Sequence, residues 1–184
     1  MSVTSPSVSM TLQEWDADES YPDQHVELVH GMPEVSPPER LGNRRITTRV
    51  VGLLLGALPP GWMPVTEVDV TVDAQAPTVR RPDVAVVSDA APDAVGRHDP
   101  VLVSLVVEVV SPTSRARDWV TKQAEYAAAG IGAYLVIDPG RNVLALFSDP
   151  GPGGYATRTG DGGTAVWRLD GADILIRLDD LLGA

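Results

Sequence analysis

The stretch from Val101 to Pro139 reads VLVSLVVEVVSPTSRARDWVTKQAEYAAAGIGAYLVIDP and predicts the centre of the fold. It begins with an almost continuous run of β-branched apolar residues ending at Ser111 and Pro112, which is typical of a strand buried on both faces. Glu108 is the charged residue inside this run. A buried carboxylate is costly unless it is paired, hydrogen-bonded or bound to a metal, so the sequence predicts a partner for it.

The residues after this strand predict a helix, with Thr113 or Ser114 as N-cap and Gly130 as the stop. A second strand is predicted over residues 133–138. Strand, helix and strand together indicate a βαβ unit, in which the helix folds back over the sheet.

Asp118, Lys122 and Tyr126 follow one another at intervals of four residues in the predicted helix. Residues at this spacing share one helix face, so these three side chains are expected to form a polar stripe. A helix packed over the preceding strand can then bring Lys122 near Glu108. The unit would carry its acid on the strand and its base on the helix.

The remaining segments extend this unit into an α/β (α+β) fold, a central mixed β-sheet flanked by helices with a C-terminal extension of β-hairpins. We expect residues 1–10 to form a disordered tail and residues 11–184 to form a single domain. The other predicted elements are a short helix from residue 11, two strands around a tight turn in 25–35, a helix over 39–58, one strand over 62–72, a loop over 74–78, a strand over 81–87, and hairpins from 142 to 178.

Composition excludes several classes of site. Cysteine is absent, which rules out disulfides, thiol nucleophiles, cysteine zinc sites and iron–sulfur clusters. The sequence shows neither a leader peptide nor a membrane span, so we expect a soluble cytoplasmic protein.

The net charge of −11 disfavours binding of nucleic acid through the overall electrostatic field of the protein, although four arginines between residues 40 and 49 leave a local basic surface possible. The alternative is that these arginines are simply solvated.

The acidic residues offer the clearest chemistry, because the histidines lack a nucleophile motif and the glycine-rich segments lack the lysine of a phosphate-binding loop. Asp83 at the head of one strand and Glu108 in the next can converge on a divalent cation, with Glu27 completing an oxygen-rich site for Mg²⁺ or Mn²⁺. Lys122 can steady a water molecule or a developing phosphate charge. The structural alternative is a buried Glu108–Lys122 ion pair, with Asp83 capping a turn.

Three motifs resemble those of the Uma2 family, which is assigned to the PD-(D/E)XK nuclease superfamily. They are ELVHG (27–31), RPDVA (81–85) and EVVSP (108–112), the last followed by Asp118, Lys122, Tyr126, Gly130, Tyr134, Asp138 and Pro139. The resemblance covers roughly residues 12–155, and the block 108–139 is its most specific part. It implies a restriction endonuclease-like fold.

The resemblance also implies roles for single residues. Asp83 is the motif aspartate and Glu108 the acid of the next strand, both as metal ligands, and Glu27 extends the site. Val110 stands where the superfamily has its usual lysine, and the family moves that lysine to the helix, at Lys122. The sequence departs from the family pattern at Asn43, where a histidine is common, and at Val26, where an aromatic residue often precedes the glutamate.

Together these residues predict a metal-dependent endonuclease that uses Mg²⁺ or Mn²⁺ to hydrolyse phosphodiester bonds of nucleic acid, with DNA as the expected substrate. The substrate would bind weakly and salt-sensitively along the arginines of the helix over 39–58. Asp118 and Tyr126 are expected to support the site or to lie on the helix surface. The nucleic-acid-binding candidates are Arg40, Arg44, Arg45 and Arg49.

The alternative function is a catalytically inactive module that forms a homodimer or binds a partner.

Overall fold

The computed structural model of the chain describes residues 9–21, 24–93 and 96–183. Most of the predicted tail, residues 1–8, lies outside the described residues. Met10, at the end of that predicted tail, is held against the domain, because its backbone N–H donates to the carbonyl of Gly31 at 2.8 Å.

The described elements are short helices and strands around one longer helix. In chain order they are α1 (Leu12–Asp16), β1 (Val26–Val29), β2 (Met32–Val35), α2 (Leu41–Ala57), β3 (Trp62–Val65), β4 (Val70–Asp73), β5 (Thr78–Arg80), β6 (Val84–Ser88), a 3₁₀ turn (Pro100–Leu102), β7 (Val103–Val109), a π-helical segment (Arg117–Lys122), α3 (Gln123–Ala128), β8 (Ala133–Asp138), β9 (Val143–Gly151), β10 (Gly154–Thr159), β11 (Thr164–Leu169), β12 (Ala172–Arg177) and α4 (Leu178–Leu182). No helix in this described part is long and apolar enough to cross a membrane.

A six-stranded sheet in the order β10-β9-β8-β7-β6-β3 forms the centre of the molecule. Within it β7 and β8 are parallel, and the other neighbouring strands are antiparallel. A four-stranded sheet, β2-β1-β5-β4, and the β11–β12 hairpin complete the strands. The mixed sheet, the flanking helices and the C-terminal hairpins confirm the predicted fold class.

The two faces of the central sheet carry two hydrophobic cores. One core joins α2, the β11–β12 hairpin and α4 to side chains such as Val107 and Val109. The other joins α3 to the opposite face through Val106 and Tyr126. Successive side chains of a strand point to opposite faces, so Glu108 lies on the α3 side with Val106. This alternation places its carboxylate under the helix that follows the strand.

The prediction of one strand over residues 62–72 is wrong. The structure has β3 pairing with β6 in the central sheet and β4 pairing with β5 in the four-stranded sheet. Between them Glu67 has φ of 57°, a left-handed conformation that an extended strand cannot contain. The chain therefore leaves one sheet and enters the other, and part of the predicted loop over 74–78 leads into the short strand β5.

The helix after β7 also differs from a regular α-helix. Residues Arg117–Lys122 form π-helical turns, a rare geometry often found at functional sites. Ser114, one of the two predicted N-caps, directly precedes the first helical residue, and its backbone carbonyl accepts from the N–H of Asp118 at 2.9 Å. Its hydroxyl donates to the carboxylate of Asp118 instead of capping a backbone N–H, and its own backbone N–H donates to Oγ of Ser111 at 3.2 Å. The serine preceding Pro112 thus fixes the turn between strand and helix.

Candidate functional site

Two acidic side chains lie next to each other where β6 begins and β7 ends. Val84 pairs with Val107 in these antiparallel strands, so Asp83, one residue earlier, lies beside Glu108. The backbone N–H of Val109 donates to Oδ2 of Asp83 at 2.6 Å and fixes that carboxylate against the strand.

Lys122 connects two acids from different sheets. Its Nζ lies 2.7 Å from Oε1 of Glu108 in the central sheet and 2.9 Å from Oε1 of Glu27 in the four-stranded sheet. The hydroxyl of Tyr126, one helical turn later, also donates to Oε1 of Glu108 at 2.9 Å. The structure therefore brings together Lys122, Tyr126 and both glutamates that the sequence singled out, while their chemical roles remain predictions.

Glu27 is also bound by arginine. Its Oε2 accepts from Nη1 of Arg80 at 3.0 Å, and its Oε1 accepts from the backbone N–H of Arg81 at 3.1 Å. Arg80 is 1% exposed and donates through Nε and Nη2 to both oxygens of Glu125 in α3. The sequence gives no sign of this buried arginine, because a strand of three residues is too short for its alternation to show which side chains are buried.

Asp118, in the π-helical segment, is buried with only 2% of its surface exposed. The hydroxyl of Ser114 donates to its Oδ2, and the hydroxyl of Tyr134 donates to its backbone carbonyl at 2.8 Å. Its Oδ1 is buried and has no hydrogen-bond partner among the described residues. Asp118 and Tyr126 are thus interior groups and not helix-surface groups.

The carboxylates of the site have perturbed pKa values. Burial raises the pKa of Asp83 to about 7, against the opposing effect of the Val109 N–H. Burial also raises the pKa of Glu108 and of Asp118, and the charge of Lys122 only partly opposes this. Burial acts in the same direction on Glu27, but the charges of Lys122 and Arg80 outweigh it and hold the pKa of Glu27 well below its usual range. The charge of Lys122 therefore lowers the pKa of three other acids less than burial raises it, and the same ammonium is already paired with Glu27. These three acids are Asp83, Glu108 and Asp118.

These side chains line a small cavity that adjoins a larger groove. The cavity has a volume of about 190 Å³, and its walls include Asp83, Glu108, Asp118 and Lys122. The groove, of about 930 Å³, begins at the same Asp83 and runs along α2. His25, Ser36, Pro37, Pro38 and Glu39 border both spaces. A ligand in the groove could therefore reach the acids.

The four predicted nucleic-acid-binding arginines separate into two groups. Arg40 borders the cavity and Arg44 borders the groove. Arg45 and Arg49 border neither space, and Nη1 of Arg49 donates to the carbonyl of Leu181 in α4 at 2.9 Å. The α2 arginines therefore do not form one surface facing the acids.

Asn43, at the position where the family often has a histidine, links α2 to the site. Its Nδ2 donates to the carbonyl of Val109 at 3.3 Å and to Oε1 of Glu39 at 3.4 Å. The first bond holds the start of α2 against the end of β7, one residue beyond Glu108. The side chain thus serves as a polar connection between helix and strand.

Within residues 9–21, 24–93 and 96–183, no group of three or more His, Cys, Asp or Glu side chains has the arrangement of a complete metal site. Mg²⁺ binds through one or two protein carboxylates and keeps several water ligands, so two adjacent acids satisfy its requirement. Asp83 and Glu108 supply such a pair, and the unpartnered Oδ1 of Asp118 adds acceptor capacity. The donor set therefore fits a hydrated divalent cation.

Comparison with known proteins agrees with this architecture. The fold is similar to the crystal structure of "a putative nuclease belonging to DUF820" from Anabaena variabilis ATCC 29413, with a TM-score of 0.73 and 15% sequence identity over 95% of this chain and 98% of that one. No curated protein matches the sequence significantly. The model of the Uma2 family, described as "Putative restriction endonuclease", matches residues 11–176. The chain belongs to the Uma2 family of restriction endonuclease-like proteins.

Proposed function

We propose that this protein is a metal-dependent endonuclease that hydrolyses phosphodiester bonds of nucleic acid, with DNA as its substrate and Mg²⁺ or Mn²⁺ as its cofactor. One observation carries the proposal: Asp83 and Glu108 lie side by side in a cavity where Glu108 is also bound to Lys122. Family membership supports a nuclease activity.

Asp83 and Glu108 would hold the cation, which supplies a water molecule of lowered pKa and offsets negative charge at phosphorus. Lys122 keeps its ammonium fixed between Glu27 and Glu108, where it can orient the attacking water or stabilise charge on the phosphate. Tyr126 holds the carboxylate of Glu108 in one orientation through its hydroxyl. These contacts fix the reacting groups before substrate arrives.

Glu27 was predicted as a third metal ligand, and in the structure both of its oxygens already accept hydrogen bonds from Arg80 and Arg81. Direct contact with a cation would compete with these bonds and with Lys122. We propose that Glu27 extends the site chiefly by holding Lys122 in place, with the cation bound through the other two acids.

Calorimetric titration tests the metal site. Mn²⁺ is expected to bind the wild-type protein saturably, and Asp83→Asn and Glu108→Gln should each weaken binding at least about tenfold, because each removes one of two charged ligands. Asp173→Asn, on the exposed C-terminal hairpin, is the matched control and should bind as the wild type does. Equal Mn²⁺ affinity in all four proteins would contradict the assignment of Asp83 and Glu108.

The arginines of α2 are expected to differ in nucleic-acid binding. Arg44→Ala should weaken binding of a DNA oligonucleotide and reduce the slope of log K against log salt by about one, because one phosphate contact is lost. Arg45→Ala should leave both unchanged, since Arg45 borders neither the cavity nor the groove. Fluorescence anisotropy over a salt series measures both quantities. Overall binding should be weak, because the protein carries a net charge of −11. Equal losses in both variants would count against the groove as the binding surface.

A non-catalytic module that binds a second copy or a partner is the second candidate. The observation that favours it is a cross-strand apolar pair on the C-terminal hairpin, Val166 and Leu175, which are 50% and 52% exposed. The same titration separates the two candidates. A folded wild-type protein that binds no Mn²⁺ even with a DNA oligonucleotide present would favour the non-catalytic module.

A further inference from the structure

The carboxylate of Asp118 is held firmly at one oxygen and left without a partner at the other. Ser114 donates to Oδ2, and Tyr134 fixes the backbone carbonyl of the same residue. Oδ1 is fully buried and accepts no hydrogen bond from any described residue. Buried polar atoms in folded proteins are nearly always satisfied, so this oxygen requires a donor that none of the described residues supplies.

The position of Asp118 limits what that donor can be. Its side chain lies in the wall of the small cavity that Asp83, Glu108 and Lys122 also border. Mg²⁺ needs only one or two protein carboxylates, and Asp83 and Glu108 already supply two, so Asp118 is not needed as a direct ligand. A cation held by two acids retains water molecules, and those water molecules are hydrogen-bond donors.

We propose that Oδ1 of Asp118 accepts a hydrogen bond from a water molecule bound to the divalent cation. Asp118 is then a positioning residue for that water, an inference that rests on the metal-dependent function proposed above. The π-helical segment contributes to this placement, because Asp118 and Lys122 both lie within it and both side chains are buried. Ser114 donates to Oδ2 and so leaves Oδ1 as the acceptor without a partner among the described residues.

The test compares Mn²⁺ binding by the full-length wild type, Asp118→Ala and Asp118→Asn. Groups that hydrogen-bond metal ligands typically alter metal affinity by about 10- to 100-fold when they are removed, so Asp118→Ala should weaken Mn²⁺ binding by at least about tenfold. Asp118→Asn should lose less, because an amide oxygen can still accept from water. Water-proton relaxation of the Mn²⁺ complex should also change in Asp118→Ala, which a purely structural role would not produce.

Asp138→Asn is the matched control. Asp138 is also a buried aspartate, but Arg115 and Trp119 satisfy its carboxylate and it lies outside the cavity walls. This variant is expected to lose stability and keep its Mn²⁺ affinity. Wild-type affinity and relaxation in Asp118→Ala, or in the similarly shaped Asp118→Leu if the alanine variant does not fold, would overturn the inference while leaving the metal site intact, because neither variant can accept a hydrogen bond. Absence of Mn²⁺ binding by the folded wild type, even with a DNA oligonucleotide present, would overturn the proposed function and this inference with it.

Discussion

Replacing Lys122 by methionine is expected to lower the free energy of unfolding by about 3–5 kcal/mol and to abolish cleavage. The substitution leaves Glu27 and Glu108, which are 1% and 5% exposed, without the ammonium that lies between them. Methionine approximates the length of lysine, so the loss would come from uncompensated charge more than from a cavity. Urea denaturation measures the stability, and a cleavage assay on DNA with Mn²⁺ measures the activity.

The surface variant Arg168→Met is the control for this result. Arg168 pairs with Asp173 at 2.7 Å, but the two side chains are 75% and 55% exposed, so its loss should cost less than about 1 kcal/mol. Adding Glu108→Gln to Lys122→Met should recover part of the stability, because glutamine removes the cost of burying or protonating this carboxyl group. A change no larger in Lys122→Met than in Arg168→Met would show that the lysine does not hold the two acids together.

The stability of the metal-free protein is expected to fall as pH rises from about 5 to 7, because of Asp83. Burial raises the pKa of this carboxyl from 3.8 to about 7. A pKa that is higher in the folded state means that the folded protein binds the proton more tightly. The resulting stability is present at low pH and is lost as pH rises through the folded value, by up to about 1.4 kcal/mol per pH unit. Urea denaturation at half-unit pH intervals measures it.

Asp83→Asn isolates this contribution, since asparagine does not titrate. The difference in unfolding free energy between wild type and variant should change across pH 5 to 7 and level off above it. Saturating Mn²⁺ should restore the wild type at pH 8, because the cation replaces the proton as the partner of the carboxylate, and should have little effect on Asp83→Asn. A difference that stays constant with pH would mean that Asp83 is ionised throughout this range.

The central βαβ unit and the contact between Glu108 and Lys122 could be predicted from patterns within a short stretch of sequence. The apolar run of β7 and the alanine-rich helix after it identify the βαβ unit, whose parallel strands β7 and β8 the structure contains. The spacing of Asp118, Lys122 and Tyr126 predicted that they share one helix face and that Lys122 lies near Glu108. In the structure Nζ of Lys122 donates to Oε1 of Glu108 at 2.7 Å. These predictions succeeded because they depend on contacts between residues close together in the sequence.

Features that depend on distant parts of the chain could not be predicted in this way. Arg80 is buried because Glu27 and Glu125, each 45 or more residues away, meet it in the folded protein. The separation of β3 from β4 likewise depends on which partner strands each one meets. The π-helical segment shifts the helix register without any glycine or proline within it to signal the change.

The position of Lys122 between two sheets has a mechanical consequence. Glu27 belongs to the four-stranded sheet and Glu108 to the six-stranded sheet. The ammonium of Lys122 therefore links the two sheets at the proposed catalytic site. The two sheets also share a hydrophobic core through residues such as Val70 and Val106, and any motion that separated them at the cavity would have to break both ion pairs of Lys122. The ion pairs of Lys122 therefore stay intact only while the two sheets keep their relative position at the cavity, and a shift of one sheet against the other would change the geometry of the acids there.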